Sequence, residues 1–265
     1  MGKRLARIVL AVEYDGRAFC GWQSQPGGGA VQDALEAAIA QLAGHQVRVH
    51  AAGRTDAGVH AAQQIVHFDC DVNRPLTAWV RGVNSFLPES VAVLWSREVE
   101  PDFHARFSAT ARHYRYLLLN HPVRPALLSG RVGWHHAPLD LERMQAAAAC
   151  LIGTHDFSSF RAAECQAHSP VKQLTRFELR AEGRMLICDV SAGGFLHHMV
   201  RNLMGALVHI GRGAAPAEWM TELLAARDRR LAPPTFMADG LYFAGVSYPA
   251  SFGIASEPTF RHHLV

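Results

Sequence analysis

Gln46-Val47-Arg48-Val49-His50-Ala51-Ala52-Gly53-Arg54-Thr55-Asp56-Ala57-Gly58-Val59-His60-Ala61, continued by Ile65-Val66-His67-Phe68, is the stretch on which the fold turns. Val47 and Val49 set a strand-like pattern before residue 51, and Ile65 to Phe68 set another after it. Between them lies a loop bounded by glycines and carrying one acid, Asp56. Helical patterns flank this pair of strands. Val31, Leu35, Ile39 and Leu42 predict a helix over 31–42 that stops at Gly44. Leu76, Trp79, Val80, Val83 and Leu87 predict another over 76–87, ended by Pro88. Ile8, Leu10, Val12 and Tyr14 alternate as a strand that Asp15-Gly16 turns, and Val91 to Trp95 forms a fourth strand. The order is β-α-β-β-α-β, the ferredoxin-like unit.

The second half has a similar plan. A strand is expected from Tyr114 to Leu119, then a helix over 139–153 through Leu141, Met144, Ala148 and Leu151, ended by Gly153. Strands near 173–181 and 185–191, helices near 195–210 and 216–227, and a last strand from Leu241 to Tyr248 follow. This reads as a second, elaborated α/β unit, without a residue-level repeat. The expected class is α+β, with an N-terminal half over 1–107 carrying the acid loop and a C-terminal half over 108–265. Two such sheets can join edge to edge around a central cleft. The Pro-Gly-Gly-Gly run at 26–29 reads as a loop, not a linker.

Nearly half of the 265 residues are apolar, enough for a substantial core, and the net charge is only +3. The charge is unevenly spread. Arg97, Arg106, Arg112, Arg115, Arg124 and Arg131 give a locally basic stretch suited to phosphates, although a solvated face accounts for it equally. The five cysteines are scattered, odd in number and without a C-x-x-C pair, which excludes a disulfide framework or zinc ribbon. Reduced thiols in a cytoplasmic protein are expected. Ile8 to Val12 is too short for a signal peptide's apolar core, and no apolar run reaches membrane-spanning length. P-loop, G-x-G-x-x-G and G-x-S-x-G motifs are absent, so kinase, dehydrogenase and serine-hydrolase chemistry have no support.

Three segments carry candidate chemistry. Asp56 fits either an Asx-turn beside Gly58 or a catalytic carboxylate. Phe103 to Tyr116 interleaves aromatics with cations, the pattern of single-stranded base stacking and phosphate contact, and also that of a half-buried strand. Gly193 to Asn202 places His197 and Arg201 one helical turn apart, with no acid on that helix to serve the arginine. Asp56 is a candidate partner, and backbone carbonyls are the alternative. The sixteen histidines include no H-x-x-x-H or H-E-x-x-H, so no metal ligands are expected. Besides an enzyme of RNA, two rival readings remain. One is a non-catalytic RNA-binding module; the other is a metal hydrolase on Asp56, His60 and His67.

Together these segments resemble the tRNA pseudouridine synthase A family over almost the whole chain. The matching pieces stand in order, beginning with Glu13-Tyr14-Asp15-Gly16, Gly21-Trp22-Gln23 and Gly53 to His60. Phe103-His104-Ala105-Arg106-Phe107, Arg115-Tyr116 behind Tyr114, His197 to Asn202, and Gly240-Leu241 complete them. The resemblance implies two ferredoxin-like (RRM-like) halves sharing a continuous antiparallel sheet with a central catalytic cleft. It implies a homodimer that binds tRNA and converts uridines 38, 39 and 40 of the anticodon stem-loop to pseudouridine without a cofactor. By motif, Asp56 is the nucleophile, Tyr114 stacks on the target base and takes part in C5 proton removal, and Arg201 pairs with Asp56. Leu241 packs against the base, Arg54 contacts RNA, and Phe103, His104, Ala105, Arg106, Phe107 and Arg112 belong to substrate binding. His113 and Phe243 depart from the family pattern, where Arg and Leu are expected.

Overall fold

The computed structural model describes residues 5–254, and the chain divides into two compact units. The first takes the residues up to Arg112 and those from Tyr242 on; the second runs from His113 to Leu241. The elements are mixed α and β, and among the described residues no helix is long and apolar enough to cross a membrane.

The first unit follows the β-α-β-β-α-β order: β1 (Ala6–Tyr14), α1 (Val31–Ala43), β2 (His50–Ala51), β3 (His60–Cys70), α2 (Leu76–Asn84) and β4 (Val91–Val99). β1 lies antiparallel between β3 and β4, with Leu10 opposite Val66 and Ser96. It is buried on both faces from Ile8 to Val12, so its alternation does not mark a solvent side. α2 seats Trp79 edge-on against Phe68 of β3, at 5.2 Å between ring centres. Burying such aromatics contributes about 2–3 kcal/mol each.

β2 is shorter than its pattern predicts. Val47 and Val49 are buried, yet Val49 gives its N–H to the Glu36 carboxylate at 2.9 Å and its carbonyl to the Gln32 amide at 3.3 Å. Polar side chains of α1 thus take the ladder positions, and only His50 and Ala51 pair with β3. The last strand, β10 (Leu241–Ser247), enters this unit by lying parallel to the start of β3, with Tyr242 beside His60 and Phe243 beside Ala61.

The second unit holds β5 (Ala111–Asn120, from His113), β6 (Gly133–His135), β7 (Gly153–Asp156), β8 (Val171–Glu182) and β9 (Met185–Ala192). Its strand order is β5-β9-β8-β7, with β6 parallel on β5. α3 (Leu141–Ala149) lies against β8 and α4 (Met199–Gly211), and α5 (Trp219–Ala226) follows. α3 ends four residues before the expected Gly153, which instead opens β7. α4 starts at Met199 rather than near 195, because His198 takes a left-handed φ of 61° at the cap. His197 is therefore outside the helix, and the one-turn relation to Arg201 expected from spacing does not exist.

Within this unit Asp189 is nearly buried and accepts from Arg115 at 2.6 Å and Arg180 at 2.7 Å. Burial alone would push its carboxyl up, but the two guanidinium groups hold it below the usual carboxylate range. Arg115 is thus structural rather than part of an open basic stretch. Asp189→Asn leaves two arginines without their charge and is expected to cost about 3 kcal/mol, read as a lower urea midpoint.

Candidate active site

The acid loop of the first unit is gripped from several sides. Behind it, the Tyr14 hydroxyl meets Thr55 Oγ1 at 2.8 Å in the core. Burial pushes the Tyr14 phenol up to about 12, so it stays neutral and hydrogen-bonded. Trp22 donates its backbone N–H to the Thr55 carbonyl at 3.0 Å, and Gln64 donates its amide to the Gly53 carbonyl at 2.7 Å. Arg112 reaches the Ala52 carbonyl at 3.2 Å. The ring of Phe243 lies under Gly53, where an added Cβ would stand 3.1 Å from it.

Two glycines make the grip possible. A Cβ on Gly16 would lie 2.1 Å from the Val59 carbonyl oxygen, and one on Gly21 2.8 Å from that of Thr55. Gly21 also has φ of +103°. Asp56 itself closes a turn, its carbonyl accepting from Val59 N–H at 3.1 Å, and its side chain is half-buried while Arg54 is exposed. The motif pieces around Tyr14-Asp15-Gly16 and Gly21-Trp22 are thus the clamp of the acid loop, a role their sequence did not reveal. Tyr14→Phe strands the Thr55 hydroxyl and is expected to cost about 1–2 kcal/mol in chemical denaturation.

His60 and His67 do not share a site. They stand seven residue steps apart along β3, about 23 Å at about 3.3 Å per residue. His60 accepts from Gly16 N–H at 3.1 Å and stacks on Tyr242 at 4.6 Å. A hydrolytic metal centre using both histidines is therefore ruled out by geometry.

His67 instead anchors the 103–107 segment. Its Nδ1 accepts from Ala105 N–H at 3.2 Å, and the Tyr248 hydroxyl donates to the Ala105 carbonyl at 2.7 Å. Phe103 and Ala105 are fully buried. His104 is half-buried, and its Nδ1 accepts from the N–H groups of Arg106 and Phe107. Arg106 and Phe107 are exposed, the guanidinium 5.5 Å over the ring and the His104 ring 4.4 Å from it. Arg112 ties this turn to the acid loop by also donating to the Arg106 and Ala109 carbonyls.

Burial, helped by His104 and His50, lowers the His67 pKa to about 3. The unfolded chain therefore binds a proton that the fold refuses between pH 6.5 and about 3, and stability falls as pH drops through that window. The urea midpoint is expected to decline from pH 7 to pH 4, and less steeply in His67→Gln.

In the second unit Tyr114 stands on β5 with its ring edge-on to Phe195 at 5.0 Å. Arg201, half-buried on α4, donates Nε to the Phe236 carbonyl at 2.9 Å. The segment carrying that carbonyl is pinned by Asn202, which accepts from Arg229 and Thr235 and donates to the Phe160 carbonyl. Leu241 is buried at the end of this unit, after Gly240, which sits so close to β5 that a Cβ would lie 2.3 Å from the Leu117 carbonyl. His113 bonds Ser191 at 2.7 Å, and burial holds its imidazole below the usual range.

Asp56 is thus half-buried on a clamped loop of the first unit, while Tyr114 and Arg201 stand on β5 and α4 of the second. The family model described as tRNA pseudouridine synthase matches residues 10–108 and 147–249. A tRNA pseudouridine synthase A from Thiobacillus denitrificans is 62% identical over 250 residues, covering 94% of this chain and 96% of that protein. One from Chromobacterium violaceum is 62% identical over 252 residues, covering 95% and 96%. The chain belongs to the tRNA pseudouridine synthase family, whose members are isomerases that turn uridine into pseudouridine.

Proposed function

We propose that this protein isomerises uridines 38, 39 and 40 in the anticodon stem-loop of tRNA, with Asp56 as nucleophile. The observation that carries the reading is the clamp on the Asp56 loop: five separate contacts hold Ala52, Gly53 and Thr55, just ahead of one half-buried acid. A residue that merely turned the chain would not need them. Such preorganisation is what a nucleophile or charge-stabilising group requires.

The reaction breaks the N1–C1′ bond, turns the base and forms a C5–C1′ bond. Nothing is oxidised or hydrolysed, so the chemistry asks for no cofactor. Bond cleavage leaves positive character on the ribose, which one carboxylate can trap or stabilise. In this reading Arg201 pairs with Asp56 and fixes its position, Tyr114 stacks on the target base and assists C5 proton removal, and Leu241 packs against the base. The base leaves its stack to reach them. Arg54, Arg106 and Phe107, all exposed, meet the RNA directly, while Phe103, His104, Ala105 and Arg112 hold that surface in place. Two copies bind one tRNA across both subunits in the cytoplasm.

The test is to incubate an unmodified tRNA transcript with this protein alone and map pseudouridine by nucleotide. Modification confined to 38–40 is expected; modification elsewhere overturns the site assignment, and none at all overturns the activity.

A further inference from the structure

A second cluster lies in the first unit, outside the acid loop and its clamp. His45 follows Gly44, the left-handed cap of α1, while Cys70 ends β3 and Asp71 follows it. One ligand atom from each of His45, Cys70 and Asp71 lies within 4.8 Å of the other two. The His45 Nε2 to Asp71 Oδ1 distance is 3.1 Å. That contact is a hydrogen bond; metal–nitrogen and metal–oxygen bonds of about 2.0–2.2 Å set two corners of a tetrahedron about 3.4 Å apart, so a cation in place of the shared proton needs only a small opening of the pair. Cys70 supplies a third donor. It is 1% exposed, and its thiol has no hydrogen-bond partner among the described residues although it faces an imidazole and a carboxylate. His45 and Asp71 are part-exposed, which leaves a way in for an ion and a fourth position for water.

We propose that His45, Cys70 and Asp71 bind a thiophilic divalent cation of the zinc type, which pins the turn after α1 to the end of β3. Thiolate, imidazole and carboxylate are a donor set that suits zinc or cobalt and not magnesium or calcium. On binding, the Cys70 thiol gives its proton to solvent, three protein–metal bonds form, and no electron changes hands. The cation's charge offsets the thiolate and the carboxylate, which without it would stand close together as like charges. The site is structural: it involves none of the residues assigned to the reaction. Its ligands escape a motif search because His45 is 25 positions from Cys70 and the helix–strand packing alone unites them.

Titration of the reduced, metal-free full-length protein with cobalt(II) tests this. One equivalent is expected to give a near-ultraviolet thiolate-to-cobalt charge-transfer band, and zinc is expected to displace it and raise the thermal midpoint. His45→Ala, a change on an exposed turn, should weaken cobalt binding by about 100-fold or more and remove the zinc-dependent shift. Cys70→Ser should abolish the band, and replacing the exposed thiol in Cys20→Ser should leave it. No thiolate band at one equivalent, or an equally strong band in His45→Ala, overturns the proposal.

Discussion

Gly16→Ala is expected to lower stability by about 3 kcal/mol and turnover by about 100-fold. The added Cβ would stand 2.1 Å from the Val59 carbonyl oxygen and 2.5 Å from its carbon, so backbone must move by more than 1 Å to restore ordinary contact. Two segments can give way. One carries the Gly16 N–H bond to His60; the other is the turn in which Val59 N–H donates to the Asp56 carbonyl. Either movement loosens the acid loop, and a displacement of about 1 Å at a reacting group is worth about 100-fold in rate. Urea denaturation and single-turnover assays read the two effects separately. A variant equal to the wild type in both would show that the contact is not part of the clamp.

Asp56→Asn is expected to reduce pseudouridine formation by about 10⁴-fold or more while leaving tRNA affinity within about threefold. The amide keeps the shape of the carboxylate but can neither attack nor stabilise the cationic ribose. Binding depends chiefly on phosphate and stacking contacts made elsewhere. Filter retention of labelled tRNA reports the first property and single-turnover formation of pseudouridine the second. This pairing separates an enzyme from an RNA-binding module, which has no rate to lose.

Much of this molecule can be read from its sequence because periodicity survives wherever a face is buried. The second helix ends at Asn84, three residues short of the expected Leu87, but its start at Leu76, the helix over 31–42 and the strand at Ile8 to Val12 follow from apolar spacing alone. The shortened β2 does not, because Val47 and Val49 look like strand residues whether their backbone groups meet β3 or the side chains of Gln32 and Glu36. The parallel pairing of Tyr242 and Phe243 with β3 joins residues far apart in the chain through two register positions, which leaves no local mark. At the site, Asp56 is conspicuous as the lone acid between glycines. Its clamp is invisible, since a missing Cβ against a carbonyl oxygen has no pattern. Nor does the run from Phe103 to Phe107 disclose that Phe103 and Ala105 are buried while Arg106 and Phe107 face solvent.

The central claim is that Asp56 carries the exchange of an N1 for a C5 bond on uridine. Pseudouridine formation replaces the C5 hydrogen, so tRNA tritiated at uridine C5 releases tritium to water as the reaction proceeds. The wild-type protein alone is predicted to release one tritium for each pseudouridine formed, and Asp56→Asn to release none above background. Release by Asp56→Asn at the wild-type rate would contradict the account.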